Sequence, residues 1–209
     1  MTYPTATNKG ETLAPYQTKQ YELGTKYQVG SWLNTLALYQ IEKPEAYQDS
    51  TNLEVKDDAE TRSRGIEFST AGHLTEDLSL MANLAYIDAE YVKSGTASQV
   101  GNTVIGTPDF TAGLGLDYKI PVVDGMSVNA RASYVSEQYL NTDNSLELPD
   151  YTILDLGAKY ATKIGGVNTT FRANVNNLTD EKYWSGVFGS NYAILGAGRT
   201  YKLGVTFDF

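Results

Sequence analysis

The sequence predicts an all-β chain of antiparallel strands curved into a membrane-spanning barrel wall. Three observations carry this reading. Apolar residues recur with a period of two, short and long connections alternate strictly, and aromatic residues close the apolar parity near the segment ends. Successive strand side chains point to opposite faces, so a period of two gives one apolar and one polar face.

The first strand, about Tyr16 to Val29, sets Tyr21, Leu23, Tyr27 and Val29 against Glu22, Gly24, Lys26 and Gln28. The segment Trp32 to Glu42 is ambiguous, because Leu36 and Leu38 compete with Leu33, Ala37, Tyr39 and Ile41. Next, Ile66, Phe68 and Thr70 oppose Gly65, Glu67 and Ser69, and Leu78 to Tyr86 oppose Ser79, Asn83 and Ala85. Phe110, Ala112, Leu114, Leu116 and Tyr118 oppose Thr111, Gly113, Gly115 and Asp117. Val128 to Tyr134, Leu154 to Tyr160, Phe171 to Val175 and Tyr201 to Phe209 repeat the split, giving nine strands. Short turns fall at Gly30-Ser31, His73 to Asp77, Lys119 to Gly125 and Gly165-Gly166. Long connections fall at Lys43 to Glu60, Tyr91 to Gly106, Leu140 to Asp150 and Ser185 to Gly198. The turn centres repeat at roughly 45 residues, a period that propeller blades also use, but here each period holds two long strands. Strands of this length, with short turns on one side and long loops on the other, match outer-membrane barrels.

Tyr27, Trp32, Tyr39, Tyr86, Tyr118, Tyr134, Tyr160 and Phe209 finish the apolar parity and read as an interfacial girdle. The other parity carries Glu22, Lys26, Glu67, Asp117, Arg131, Asp155, Lys159, Arg172, Lys202 and Asp208, which require a wet or polar lumen. A soluble all-β binding module, sandwich or propeller, stays open on alternation alone, as does a small self-standing barrel or porin. Bacterial single-chain barrels have even strand counts, which argues against nine strands closing alone. The eight residues Ile66, Phe68, Leu114, Leu116, Leu154, Leu156, Leu203 and Val205 are expected to lie bare on one face.

Composition narrows the chemistry. Among 209 residues, 16 Lys+Arg face 25 Asp+Glu, a net charge of −9 that repels nucleic acid. No Cys and one His leave no thiolate site and no His-rich metal centre. The chain holds 16 Tyr, 6 Phe and 2 Trp, too many aromatics for a disordered segment. No apolar run is long enough for a membrane helix, and no signal peptide is visible at the N-terminus. Gly113-Leu-Gly115 reads as strand glycine, and Asn168-Thr-Thr170 and Asn177-Leu-Thr179 are glycosylation patterns by chance. Asp57-Asp58-Ala-Glu60 reads as a solvated acidic loop, and His73 as an exposed turn residue. No catalytic constellation is present, so the chain is read as a non-enzyme with no cofactor and no resident metal.

The end of the chain is more specific. Gly198-Arg-Thr-Tyr-Lys-Leu-Gly-Val-Thr-Phe-Asp-Phe209 is an alternating strand ending on an aromatic. It resembles the last strand of bacterial outer-membrane barrels, whose final Phe is part of the membrane-assembly signal. Val175-Asn-Asn-Leu-Thr-Asp-Glu-Lys-Tyr183 resembles the N-L-x-D-x-x-Y segment of TonB-dependent receptors. Glu11-Thr-Leu-Ala-Pro-Tyr16 with Lys19-Gln-Tyr-Glu-Leu-Gly-Thr-Lys26, Arg64-Gly-Ile-Glu67 and Leu148-Pro-Asp-Tyr-Thr-Ile-Leu-Asp155 are similar to further elements of that family. The ferrichrome-type siderophore receptors are the most similar branch.

The resemblance implies a 22-stranded barrel around an N-terminal plug, in the bacterial outer membrane. The chain, residues 1–209, would be the C-terminal part of that barrel, strands 14 to 22, as an open curved sheet without plug or TonB box. Met1 would lie in an extracellular loop, and a truncated gene, an incompletely read gene or a deliberately shortened chain would account for this. The implied partners are outer-membrane lipid, the barrel assembly machinery through Phe209, and a ferric siderophore or other metal chelate. TonB would engage only through the plug. Candidate ligand contacts are the loop and upper-strand aromatics Tyr47, Tyr91, Tyr139, Trp184, Phe188 and Tyr192, because flat rings suit flat or hydroxamate chelates at low entropic cost.

Overall fold

The computed structural model describes residues 5–12, 15–49 and 51–209, so Met1 lies outside the described residues. Nine strands form one antiparallel sheet: β1 (Lys19–Val29), β2 (Trp32–Gln48), β3 (Val55–His73), β4 (Leu78–Lys93), β5 (Phe110–Lys119), β6 (Met126–Val135), β9 (Tyr151–Ile164), β10 (Val167–Asn176) and β13 (Thr200–Asp208). Two small hairpins stand in the long connections. One pairs β7 (Gln138–Tyr139) with β8 (Glu147–Leu148), the other β11 (Trp184–Gly189) with β12 (Tyr192–Leu195). The only helical piece among the described residues is one 3₁₀ turn, Ala97–Gln99.

All nine strands read from the alternation are present. One connection is shorter than expected: pairing runs through most of Lys43 to Glu60, with β2 reaching Gln48, β3 starting at Val55 and one irregularity at Glu45/Tyr47. The charges that suggested a loop sit on and beside a half-buried extension of the ladder, where they form ion pairs. Lys93 bridges to Glu60 at 3.3 Å, and Lys56 to Asp49 at 2.5 Å.

Register resolves the ambiguous strand. Leu23, Leu38, Ile66, Tyr86 and Phe110 form one cross-strand row, and Leu36, Phe68, Leu84, Ala112 and Tyr134 the next. The outward face of β2 is therefore Trp32, Leu36 and Leu38. Tyr39, expected in the girdle, is on the opposite face: its partners are Glu22 on β1 and Gly65 on β3. The sequence of β2 is apolar on both parities, so only its neighbours fix which side is outside.

Of the eight residues expected to be bare, six are exposed, from Leu116 at 36% to Leu203 at 87%, and Phe68 and Leu154 are half-buried. Among the described residues only Ala89 and Leu148 are buried apolar side chains. Among the described residues no second sheet covers the apolar face, which removes the sandwich. Aromatics edge the band at both ends. Tyr86, Phe110 and Tyr134 lie towards the long loops, and Tyr27, Trp32, Tyr118 and Tyr160 towards the short turns. The opposite face carries the charges, and a hollow of about 490 Å³ there is lined by Ala71, His73, Met81, Asp117 and Arg131. His73 is exposed, its Nδ1 3.0 Å from Ser79 Oγ.

The sheet does not close. β1 and β13 are its two ends, run in the same direction, and are exposed along their whole length. Val29 on β1 pairs with Trp32, whose ring covers Gly72, and from Gly72 a row of cross-strand partners passes Leu80, Leu116, Ala130, Leu156 and Val175 to reach Tyr201. Val29 is at the short-turn end of β1, whereas Tyr201 is at the loop end of β13. The row thus climbs from the short-turn end of the sheet to its loop end, so the strands run oblique to it. Strands oblique to the cross-strand rows are the geometry of a barrel wall, tilted about 35–45° in outer-membrane barrels.

Candidate functional site

The long connections stand together at one end of the sheet. The β4–β5 and β6–β9 connections are joined by Asn144, whose Oδ1 accepts from Thr103 N at 2.7 Å and whose Nδ2 donates to Thr103 O at 3.0 Å. Asn102 Nδ2 donates to Thr142 O at 2.8 Å, and Gly106 N to Tyr139 O at 2.9 Å. The β11–β12 hairpin joins them where Asn191 N donates to Leu140 O at 3.0 Å and Val187 lies against Gly106. The β2–β3 hairpin has another anchor, the segment before β1. There Asn8 brackets Val55, accepting from its N at 2.9 Å and donating to its O at 3.0 Å, and Thr7 N donates to Leu53 O at 3.1 Å.

The six candidate aromatics all lie at this end, in two groups. Tyr47, Tyr91 and Tyr139 are half-buried and engaged. Tyr47 packs against Gly95, and burial followed by the Asp58 carboxylate pushes its phenol up. Burial raises Tyr91, whose backbone bonds Asn102 and Gly101. Glu147, opposite Tyr139 in the β7–β8 pair, raises the Tyr139 phenol by hydrogen bonding. Trp184, Phe188 and Tyr192 share the β11–β12 hairpin. Phe188 is 85% and Tyr192 70% exposed, and Trp184 is exposed at the hairpin base.

The hairpin is rooted in a knot that the sequence did not assign. Asn177, buried and left-handed at φ 53°, donates its N to Asp155 Oδ1 at 2.8 Å. Its Oδ1 accepts from Glu181 N at 2.8 Å, and its Nδ2 donates to Glu181 O at 2.9 Å and Ala197 O at 3.1 Å. Asp180, also left-handed at φ 56°, accepts from Arg199 N at 2.9 Å and from Lys182 Nζ at 3.0 Å. These bonds hold the Asp180 carboxyl below its ordinary value, the Arg199 amide first. Asn and Asp tolerate the left-handed region better than other side chains. Tyr151 and Tyr183 pack with centroids 4.4 Å apart, and Tyr183 also covers Gly196. Three separate sequence elements therefore meet: Leu148–Asp155, Val175–Tyr183 and Gly198–Thr200. The available signal was an Asn and an Asp three apart at a strand end.

Comparison with known proteins decides the family. The family described as "TonB dependent receptor-like, beta-barrel" matches residues 1–178. The chain belongs to this family. It is 32% identical over 203 residues to the ferrichrome receptor FcuA of Yersinia enterocolitica, covering 97% of this chain and 27% of that protein. It is 29% identical to the ferrioxamine B receptor of Salmonella typhimurium, covering 98% of this chain and 30% of that protein. Among solved structures, BauA, the ferric preacinetobactin receptor of Acinetobacter baumannii, superposes with a TM-score of 0.86 at 39% identity, covering 99% of this chain and 31% of that one. The chain thus spans under a third of the length of these relatives. As a TonB-dependent receptor barrel it belongs to the bacterial outer membrane: the long connections are extracellular, the short turns periplasmic and the charged face lumenal.

Proposed function

We propose that these strands form the C-terminal wall of a transporter that takes up a ferric siderophore or a similar metal chelate. The observation that carries the ligand contact is the pair of exposed rings, Phe188 and Tyr192, on an extracellular hairpin otherwise held in place. The names of the relatives, receptors for ferrichrome, ferrioxamine B and ferric preacinetobactin, support the ligand class. Trp184 completes the contact surface. Tyr47, Tyr91 and Tyr139 contribute at its margin, because their rings or hydroxyls are engaged by the protein. The outward face meets lipid, and Phe209, fully exposed at the end of the last strand, serves membrane assembly. Coupling to TonB runs through a plug outside these strands.

The test is titration of the outer-membrane receptor carrying this chain with ferrichrome and ferrioxamine B, followed by fluorescence quenching. Phe188→Ala with Tyr192→Ala is expected to weaken binding about 10-fold or more, the loss of a central aromatic contact. Unchanged affinity would remove these rings from the site.

A further inference from the structure

The β11–β12 hairpin takes no part in the nine-stranded sheet; its two strands pair with each other alone, through a register broken twice. Strand pairing therefore does not set its direction relative to the wall. Its base does. Glu181 is the chain on its way into the arm and Ala197 the chain on its way out, and one buried amide binds both.

We propose that Asn177 is the positioning residue of this arm, fixing the angle at which Phe188 and Tyr192 are presented and thereby the affinity for the chelate. The proposal rests on the ligand reading above. Asn177 joins four places: its own turn, Asp155 on β9, the entry to the arm and the exit from it. Both amide protons and the carbonyl oxygen are used, leaving no hydrogen-bonding capacity idle except one lone pair. Only an amide does this. A carboxylate at 177 would face the Glu181 and Ala197 carbonyl oxygens with no donor. A glycine would keep the left-handed backbone and lose every side-chain bond. The tip contacts, Asn191 to Leu140 and Val187 against Gly106, and the base contacts of Asp180 with Arg199 and of Tyr183 with Tyr151 and Gly196 also steady the arm, but it is the Asn177 amide that hydrogen-bonds the backbone of both its entry and its exit.

The experiment compares wild type, Asn177→Gly and Asn177→Asp in the outer-membrane receptor carrying this chain. Retained heat-modifiable migration establishes that each barrel is intact. Amide hydrogen exchange over 184–195 is expected to rise about 10-fold or more in both variants, with β5 and β6 unchanged, and affinity for ferrichrome or ferrioxamine B to fall about 10-fold. Unchanged exchange in the arm overturns the positioning role. Raised exchange with unchanged affinity overturns the link to the ligand. If wild type binds neither chelate, the ligand reading falls and the affinity half of the proposal with it, while exchange still decides whether Asn177 positions the arm. A variant that loses heat-modifiable migration is replaced by Asn177→Gln, which keeps an amide but moves it one methylene away from the Glu181 and Ala197 backbone. It is expected to raise exchange over 184–195 in the same way, and unchanged exchange there also overturns the role.

Discussion

The ring of Tyr39 lies over Gly65 on the lumenal face, its nearest atoms 2.5 Å from where a Cβ at 65 would stand. An aromatic covering a glycine on the neighbouring strand locks register and shields the exposed backbone. It also explains the glycine of Arg64-Gly-Ile-Glu67: any side chain there meets the ring. Gly65→Ala is expected to cost about 1–3 kcal/mol through overpacking. Tyr39→Ala should relieve that cost, so the double variant should be less damaged than the two single losses combined. The measurement is the temperature at which the folded, heat-modifiable band disappears; strictly additive losses would show that the two residues do not meet.

The two faces differ in what they tolerate. Leu114 is exposed on the outward face, and its neighbour but two, Asp117, is exposed on the lumenal one. Leu114→Arg should cost about 2–4 kcal/mol in folding titrations in lipid vesicles, because lipid cannot solvate the guanidinium. Asp117→Arg, facing water, should cost under about 1 kcal/mol. Equal costs would overturn the assignment of faces.

The extracellular β2–β3 hairpin carries a pH dependence. The Lys56 ammonium, aided by the Thr51 amide, lowers the Asp49 carboxyl from about 3.8 to about 2. A carboxyl with a depressed folded value supports the fold above its unfolded value and loses that support as pH falls through the folded one. The hairpin is therefore expected to keep its exchange protection above about pH 4 and to lose it between about pH 4 and 2, read at the Leu53 amide, which donates to Asp49 O at 2.9 Å. Asp49→Asn should flatten that profile. A wild-type profile already flat over this range would show that the ion pair does not hold the loop.

The strands and turns were legible because their signals are local: period two along the chain, and Gly30, Gly125, Gly165 and Gly166 in left-handed turns. The face of β2 was not, since Leu33, Ala37 and Ile41 are as apolar as Leu36 and Leu38, and only pairing with β1 and β3 decides. The knot was hidden for the same reason. Asn177 acts on residues 22 and 20 positions away, through side-chain bonds to backbone that leave no periodic trace. Asn177-Leu-Thr179 looked like a chance glycosylation pattern, while the family likeness marked it as recurrent without saying what it holds. The aromatic candidates were placed correctly at the loop end, but ring type alone could not separate Phe188 and Tyr192 from Tyr47, Tyr91 and Tyr139, which packing and acidic neighbours engage.

Asn144 offers the sharpest test of whether the extracellular loops move as one body. It is left-handed at φ 53° and exchanges two hydrogen bonds with the backbone of Thr103, 41 residues away. Among the described residues no strand pairing links these two connections, so the amide carries the junction together with Asn102 and Gln99 on Thr142 and Gly106 on Tyr139. Asn144→Gly keeps the backbone conformation and removes both bonds, which at about 1 kcal/mol each should cost about 2 kcal/mol locally. Asn144→Ala should cost a further ~1 kcal/mol, because alanine resists a left-handed backbone. Exchange is expected to rise at Thr103 and Gly106 in both variants, more in the alanine one, and to spread to Asn191, whose amide bonds Leu140 beside the junction. The β2–β3 hairpin, anchored instead on Asn8, should stay unchanged. A rise confined to Thr103 would mean the loops open independently; a rise that includes Leu53 would mean the hairpin on Asn8 belongs to the same body.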